Sequence, residues 1–140
     1  MDLPIRKSIR ILLLNSKNEL LLMLIEGFDI GTLDGKKNNK FWCTIGGKIE
    51  INETFQGAAL REIHEETGID SKFIKLGPIV WFGYINLVIK GTPTKLEEHY
   101  MVAKTEIESV KLHNPTFDEK QVVKKLKWFS LNNLVFIIFY

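Results

Sequence analysis

One cysteine, Cys43, is too few for an internal disulfide or for a thiol pair in a structural zinc site, which fits a reducing compartment and leads us to expect a cytoplasmic protein. Its small size among apolar neighbours places it in a buried strand. The sequence also lacks any apolar run approaching the roughly 20 residues that a membrane-spanning helix needs. Residues 9–14 run directly into Asn15, Lys17 and Glu19 with no small-residue cleavage site, and residues 134–140 are apolar but short. Neither a signal peptide nor a membrane anchor is expected. An excess of one charge is missing too: 19 basic and 17 acidic residues leave a net +2, which gives no electrostatic footprint for nucleic acid or lipid.

What remains is the composition of an ordinary globular protein, long enough at 140 residues to bury a core, so residues 1–140 are expected to form one domain. Residues 8–14 and 20–25 are β-type apolar runs joined by Asn-Ser-Lys-Asn, a composition that predicts a hairpin. Residues 27–40 turn polar and should form a long exposed loop at the border of a substrate pocket. Another strand is expected over residues 41–45, followed by Gly46-Gly47, where backbone can accept positive φ and let a ligand approach. A helix over residues 54–67 follows, with Asn52 and Thr54 as capping candidates and Gly68 as its stop. Residues 79–89, 100–103 and 126–129 are aromatic and β-branched enough for strands, with a turn at residues 91–93. Strands on both sides of one central helix indicate a mixed α/β domain.

The helix carries its charges on an unusual side. At about 100° per residue, Phe55, Ala58, Ala59 and Ile63 form an apolar stripe, and Glu62, Glu65 and Glu66 fall within it or on its border. Leu60 and His64 face the other way. Three like charges at the margin of a core repel one another and lose hydration, at a cost of several kcal/mol unless a cation compensates. Magnesium accepts carboxylate oxygens and bridges to phosphate, so the pattern points to phosphate chemistry.

Residues 47–69 read GKIEINETFQGAALREIHEETGI. This segment resembles the Nudix (MutT-like) signature G-x5-E-x7-R-E-U-x-E-E-x-G-U, where U is aliphatic, at every fixed position: Gly47, Glu53, Arg61, Glu62, Ile63, Glu65, Glu66, Gly68 and Ile69. Beyond the signature the resemblance is looser, resting on Trp42, Gly46-Gly47 and the segment Lys127-Trp128-Phe129-Ser130-Leu131. Ile45 departs from it, standing where a proline commonly precedes Gly-Gly, and the chain stops soon after Leu131, where relatives usually continue into a helix.

The resemblance implies a Nudix α/β/α sandwich around a mixed β-sheet and hydrolysis of a nucleoside diphosphate linked to another moiety. It implies Mg²⁺, with Mn²⁺ as substitute, held by Glu62, Glu65, Glu66 and the backbone carbonyl of Gly47. Arg61, between Glu53 and Glu62, would hold a carboxylate in position. The general base is open among Glu62, Glu97, Glu98 and Glu119. Family substrates include normal or oxidised nucleoside triphosphates, dinucleoside polyphosphates, nucleotide sugars, ADP-ribose and capped RNA. A nucleoside triphosphate is preferred, although Tyr84, 16 positions after Gly68, matches the spacing of a tyrosine associated with dinucleoside polyphosphates. The other class to weigh is a noncatalytic Nudix-fold regulator, which usually loses signature carboxylates. A homodimer is left open. Trp42, Trp81, Phe82 and Tyr84 lie in expected strands, where aromatic rings are more often core than base-stacking. The lysines at 120, 124, 125 and 127 read as a solvated face.

Overall fold

The computed structural model describes residues 2–37, 39–111 and 123–136. Its elements are β1 (Ile5–Leu14), β2 (Leu20–Glu26), β3 (Ile30–Gly31), β4 (Lys40–Lys48), α1 (Phe55–Thr67), β5 (Ile74–Ile89), β6 (Thr92–Thr105) and β7 (Val123–Phe129), with 3-10 turns at Ser71–Phe73 and Leu131–Phe136. All strands join one sheet in the order β3-β5-β6-β1-β4-β2-β7. Only β1 and β6 run parallel; the other neighbours are antiparallel, so the sheet is mixed, as expected.

The predicted turn between β1 and β2 is present, but the hairpin is not. Asn15 is buried, and its side-chain oxygen accepts the amides of Lys17 and Glu19, while Asn18 takes a left-handed φ of 58°. Past the single pair Leu14↔Leu20 the two strands separate. β4 enters between them, pairing residues 40–44 with β2 and residues 45–48 with β1. A composition-based reading sees only adjacent runs; it cannot see a third strand that competes for both inner edges.

Gly46 and Gly47 lie inside β4 rather than beyond its end. Gly46 has φ 141°, and a Cβ there would stand 2.9 Å from the Arg10 Cα and closer still to the Ile9 carbonyl oxygen. The close approach of β1 to β4 therefore depends on a missing side chain. Residues 27–37 do form an exposed excursion, but it folds back on itself at Gly31↔Lys37 and adds β3 to the end of β5.

Alternation along the strands separates two apolar faces. On one, Ile9, Ile11, Leu13, Leu21, Met23, Cys43 and Ile45 pack with Ala58, Ala59 and Ile63 of α1. Each large aliphatic removed from water here contributes about 1.5–3 kcal/mol. On the other face, Leu20, Leu22 and Phe129 pack with Leu12, Trp42 and Leu134 of the last 3-10 turn. Trp42 meets Phe129 edge to face at 4.9 Å. Cys43 is buried as expected, and desolvation pushes its thiol up to about 11, which makes it chemically inert at neutral pH.

Gly46→Ala should destabilise the protein by on the order of 3 kcal/mol, because both the positive φ and the β1 backbone oppose a methyl group. Chemical denaturation checks this; a loss below about 0.5 kcal/mol would mean that β1 and β4 can separate freely.

Candidate functional site

The helix that carries the signature is built as its sequence suggests. Thr54 caps α1 by accepting the Gly57 amide at 2.9 Å, and Gly68 ends it at φ 79° with its amide bonded to the His64 carbonyl. Asn52 is not a cap; it takes φ 68° in the preceding turn, a conformation that asparagine tolerates well. Thr54 wins the capping position because its hydroxyl reaches the amide three residues on.

The inward turn of the carboxylates is present. Glu62 and Glu66 are buried beside Ala58, Ala59 and Ile63, Glu65 sits at the border, and His64 is exposed. A Cβ on Gly47 would lie 2.7 Å from Glu62 Oε1, so the glycine leaves the room that the Glu62 carboxylate occupies against β4. Glu66 Oε1 accepts the Gly46 amide at 3.4 Å, and its Oε2 is buried with no hydrogen bond among the described residues. α1 thus presses two carboxylates against the glycine pair of β4.

Arg61 ties these groups together. Its Nε donates to Glu53 Oε2 at 2.6 Å and its Nη2 to Glu53 Oε1 at 2.9 Å, a bidentate arrangement. Nη1 donates to Glu62 Oε1 at 2.9 Å and to Glu65 Oε2 at 3.3 Å, and Nη2 also reaches the Lys48 carbonyl at 3.0 Å. The link from Glu53 through Arg61 to Glu62 is the one expected; the Lys48 carbonyl is an addition, since a backbone acceptor leaves no trace in side-chain spacing. Hydrogen bonding from Arg61, with help from the Glu50 amide, holds the Glu53 carboxyl below its ordinary value of 4.5. The same bonds and the nearby Glu62 charge raise Arg61 further above its already high range.

The donor set suits a hard divalent cation: two buried carboxylates, a third at the rim and a glycine position cleared beside them. Among the described residues, no three His, Cys, Asp or Glu side chains converge tightly enough to hold a metal as they stand. The guanidinium of Arg61 lies between Glu62 and Glu65, supplying positive charge where the carboxylates crowd.

The remaining candidates separate. Glu97 lies on the α1 face, where it accepts the Tyr84 hydroxyl at 3.3 Å and stands 3.7 Å from His99 Nε2, and the His99 ring packs 4.6 Å from Phe55 of α1. By strand alternation Glu98 is on the opposite face. It is buried there, 3.9 Å from Arg10 Nε, which also donates to Thr44 Oγ1 at 3.1 Å, while Arg10 Nη2 donates to the Thr44 carbonyl. Sequence reading missed this buried pair; the only signal was an arginine in the middle of an apolar strand. Glu119 lies outside the described residues. A cavity of about 340 Å³, lined by Lys7, Ile49, Glu53, Thr54, Phe55 and Gln56, opens at the start of α1.

The aromatic residues of β5 depart from the core reading. Trp42 is half-buried, but Trp81, Phe82 and Tyr84 are all more than half exposed. Outside β5 lies only the two-residue β3, which pairs with Val88 and Ile89, so among the described residues the rest of β5 has a neighbouring strand on one side.

The NUDIX domain family matches residues 4–138. Among solved structures, the MutT protein from Methanosarcina mazei Go1 is similar at 22% identity and a TM-score of 0.66, over 99% of this chain and 86% of that one. The dihydroneopterin triphosphate pyrophosphohydrolase of E. coli matches at 18% identity and a TM-score of 0.67, over 99% and 90%. A C. elegans Ap4A hydrolase matches at 19% and 0.62, over 94% and 85%. At these identities the structural likeness establishes the fold: a mixed sheet carrying the signature helix.

The lowered Glu53 value has a pH consequence of definite sign. A depressed carboxyl contributes stability that is present above 4.5 and is lost as pH falls through its lower folded value. Glu53→Gln should cost about 1–3 kcal/mol near neutral pH, with the gap from the unaltered protein closing below that range. Thermal melts from acid to neutral pH read this directly, and parallel curves for the two proteins would exclude it.

Proposed function

Since the chain belongs to the Nudix family of pyrophosphohydrolases, we propose that it cleaves a phosphoanhydride bond in a nucleoside diphosphate linked to another moiety, with a normal or oxidised nucleoside triphosphate as the leading substrate. The observation that supports this is the pressing of Glu62 and Glu66 against Gly46 and Gly47, with Glu65 at the rim and Arg61 tying Glu62 to Glu53. A binding module without catalysis has no need to keep buried carboxylates that repel one another.

Glu62, Glu65, Glu66 and the Gly47 carbonyl would hold Mg²⁺ or Mn²⁺. When bound, the metal neutralises the pyrophosphate and lowers the pKa of water. Arg61 positions Glu62 through a bidentate grip on Glu53, so the carboxylate is already oriented when substrate arrives. For the proton of the attacking water, Glu62 and Glu97 lie on the α1 face, whereas Glu98 is turned away and engaged with Arg10. This arrangement favours Glu62 or Glu97 over Glu98. The reaction would take place in the cytoplasm, on a small nucleotide.

Phosphate release from a panel of nucleoside triphosphates, a dinucleoside polyphosphate, ADP-ribose and a nucleotide sugar tests the proposal, with Mg²⁺, with Mn²⁺ and after chelation. Activity should disappear on chelation. Glu62→Gln should lower turnover by about 10²- to 10⁴-fold with a smaller change in Michaelis constant. Arg61→Gln should give a smaller defect of the same kind, and Glu98→Gln should lower thermal stability more than turnover. Near-normal turnover for Glu62→Gln, or full activity without divalent metal, would overturn the site assignment.

A further inference from the structure

Residues 76–89 contain no Asp, Glu, Lys or Arg, and β5, which they form with Ile74 and Lys75, has only the two-residue β3 beyond it in the sheet. β3 covers only Val88 and Ile89. Among the described residues, the outer edge from Ile79 to Leu87 is therefore open along an uncharged strand. Edges are ordinarily guarded by lysine, proline, bulges or shortness, because unpaired backbone groups recruit another strand. Here Pro78 and the bulge around Val80 guard only the beginning. Beyond them come Trp81 at 58% exposure, Phe82 at 53%, Tyr84 at 52% and Ile85 at 36%.

We propose that this edge is covered by a second copy of the chain, β5 pairing antiparallel with β5 of the partner across a two-fold axis at Gly83, so that one sheet runs through both copies. Two features favour a strand over a small ligand. The exposed side chains occupy both faces of the sheet: Phe82 and Tyr84 share the face of His99 and α1, whereas Trp81 packs on Tyr100 and, with Ile85, lies on the other. A stacked base would cover one face and leave the other wet.

The second feature is symmetry. The open stretch runs from Pro78, which has no amide to donate, to Val88, already paired with Gly31, and its midpoint is Gly83. An axis there sets Phe82 against Tyr84 of the partner subunit on one face, and Trp81 against Ile85 of the partner subunit on the other. Across a two-fold this uncharged strand meets its own copy with no like charges set against each other. At these exposures Trp81, Phe82, Tyr84 and Ile85 offer on the order of 400 Å² per copy, about half of the roughly 800 Å² per partner of a standard stable interface.

Sedimentation of the full chain over roughly a hundredfold range of concentration tests the interface. The expected species has twice the 16.2 kDa mass. Ile85→Lys and Trp81→Glu, each placing an unpaired charge at the centre of the contact, should each weaken association by about 100-fold or more. The double substitution W81E/I85K puts opposite charges face to face across the axis and should restore the dimer, which a variant that had merely unfolded could not do. Circular dichroism of the single variants confirms that the sheet is retained. A monomeric unaltered protein, a dimer indifferent to Ile85→Lys, or a double variant that stays monomeric while folded would each overturn the proposal.

Discussion

Glu53, Glu62 and Glu65 are brought within reach of a single guanidinium, that of Arg61, and the helix that carries three of these four residues is packed on the sheet with Glu62 facing inward. Carboxylates in that position lose hydration and repel one another, a combination that would turn α1 away from β4 if nothing opposed it. Arg61 opposes it with a rigid fork whose three nitrogens make four hydrogen bonds to carboxylates and a fifth to the Lys48 carbonyl at the end of β4. The apolar contacts of Ala58, Ala59 and Ile63 then have a helix whose charged edge is already compensated.

The sheet meets this demand from below. Gly46 lets β1 approach β4 where any side chain would collide with backbone, and Gly47 leaves the space filled by the Glu62 carboxylate. Because β4 pairs with β2 along its first half and with β1 along its second, the glycine pair is held by hydrogen bonding on a central strand rather than left in a mobile turn. Preorganisation of this kind is what the proposed site would need to act on a charged substrate without first rearranging. The opposite face answers a different requirement: Arg10 and Glu98 are buried together 3.9 Å apart, and Arg10 also donates to Thr44.

Much of this was legible along the chain because it is local. The limits of α1 follow from Thr54 and Gly68, the inward position of Glu62 and Glu66 from helical periodicity, and the Glu53–Arg61–Glu62 link from spacings that one turn-and-helix unit converts into contacts. The same holds for the turn at Asn15 and for the strand over residues 79–89, whereas β6 runs over Thr92–Thr105 where only residues 100–103 were expected as strand.

Where the sequence was read wrongly or silently, the deciding partner lay far away. The β1–β2 hairpin gives way because β4, which begins 14 residues after β2 ends, pairs with both strands. Glu97 and Glu98 look equivalent as neighbours, yet strand alternation sends one toward α1 and the other to Arg10. Trp81, Phe82 and Tyr84 have the composition of core residues but stand exposed, because sheet order, which no local pattern encodes, leaves only the short β3 beyond β5. Residue type and spacing determined which chemistry this chain carries, since helix periodicity and hydrogen-bond reach act over a few residues; only the tertiary pairing of distant strands decided which carboxylates share a face and which apolar side chains are left without cover.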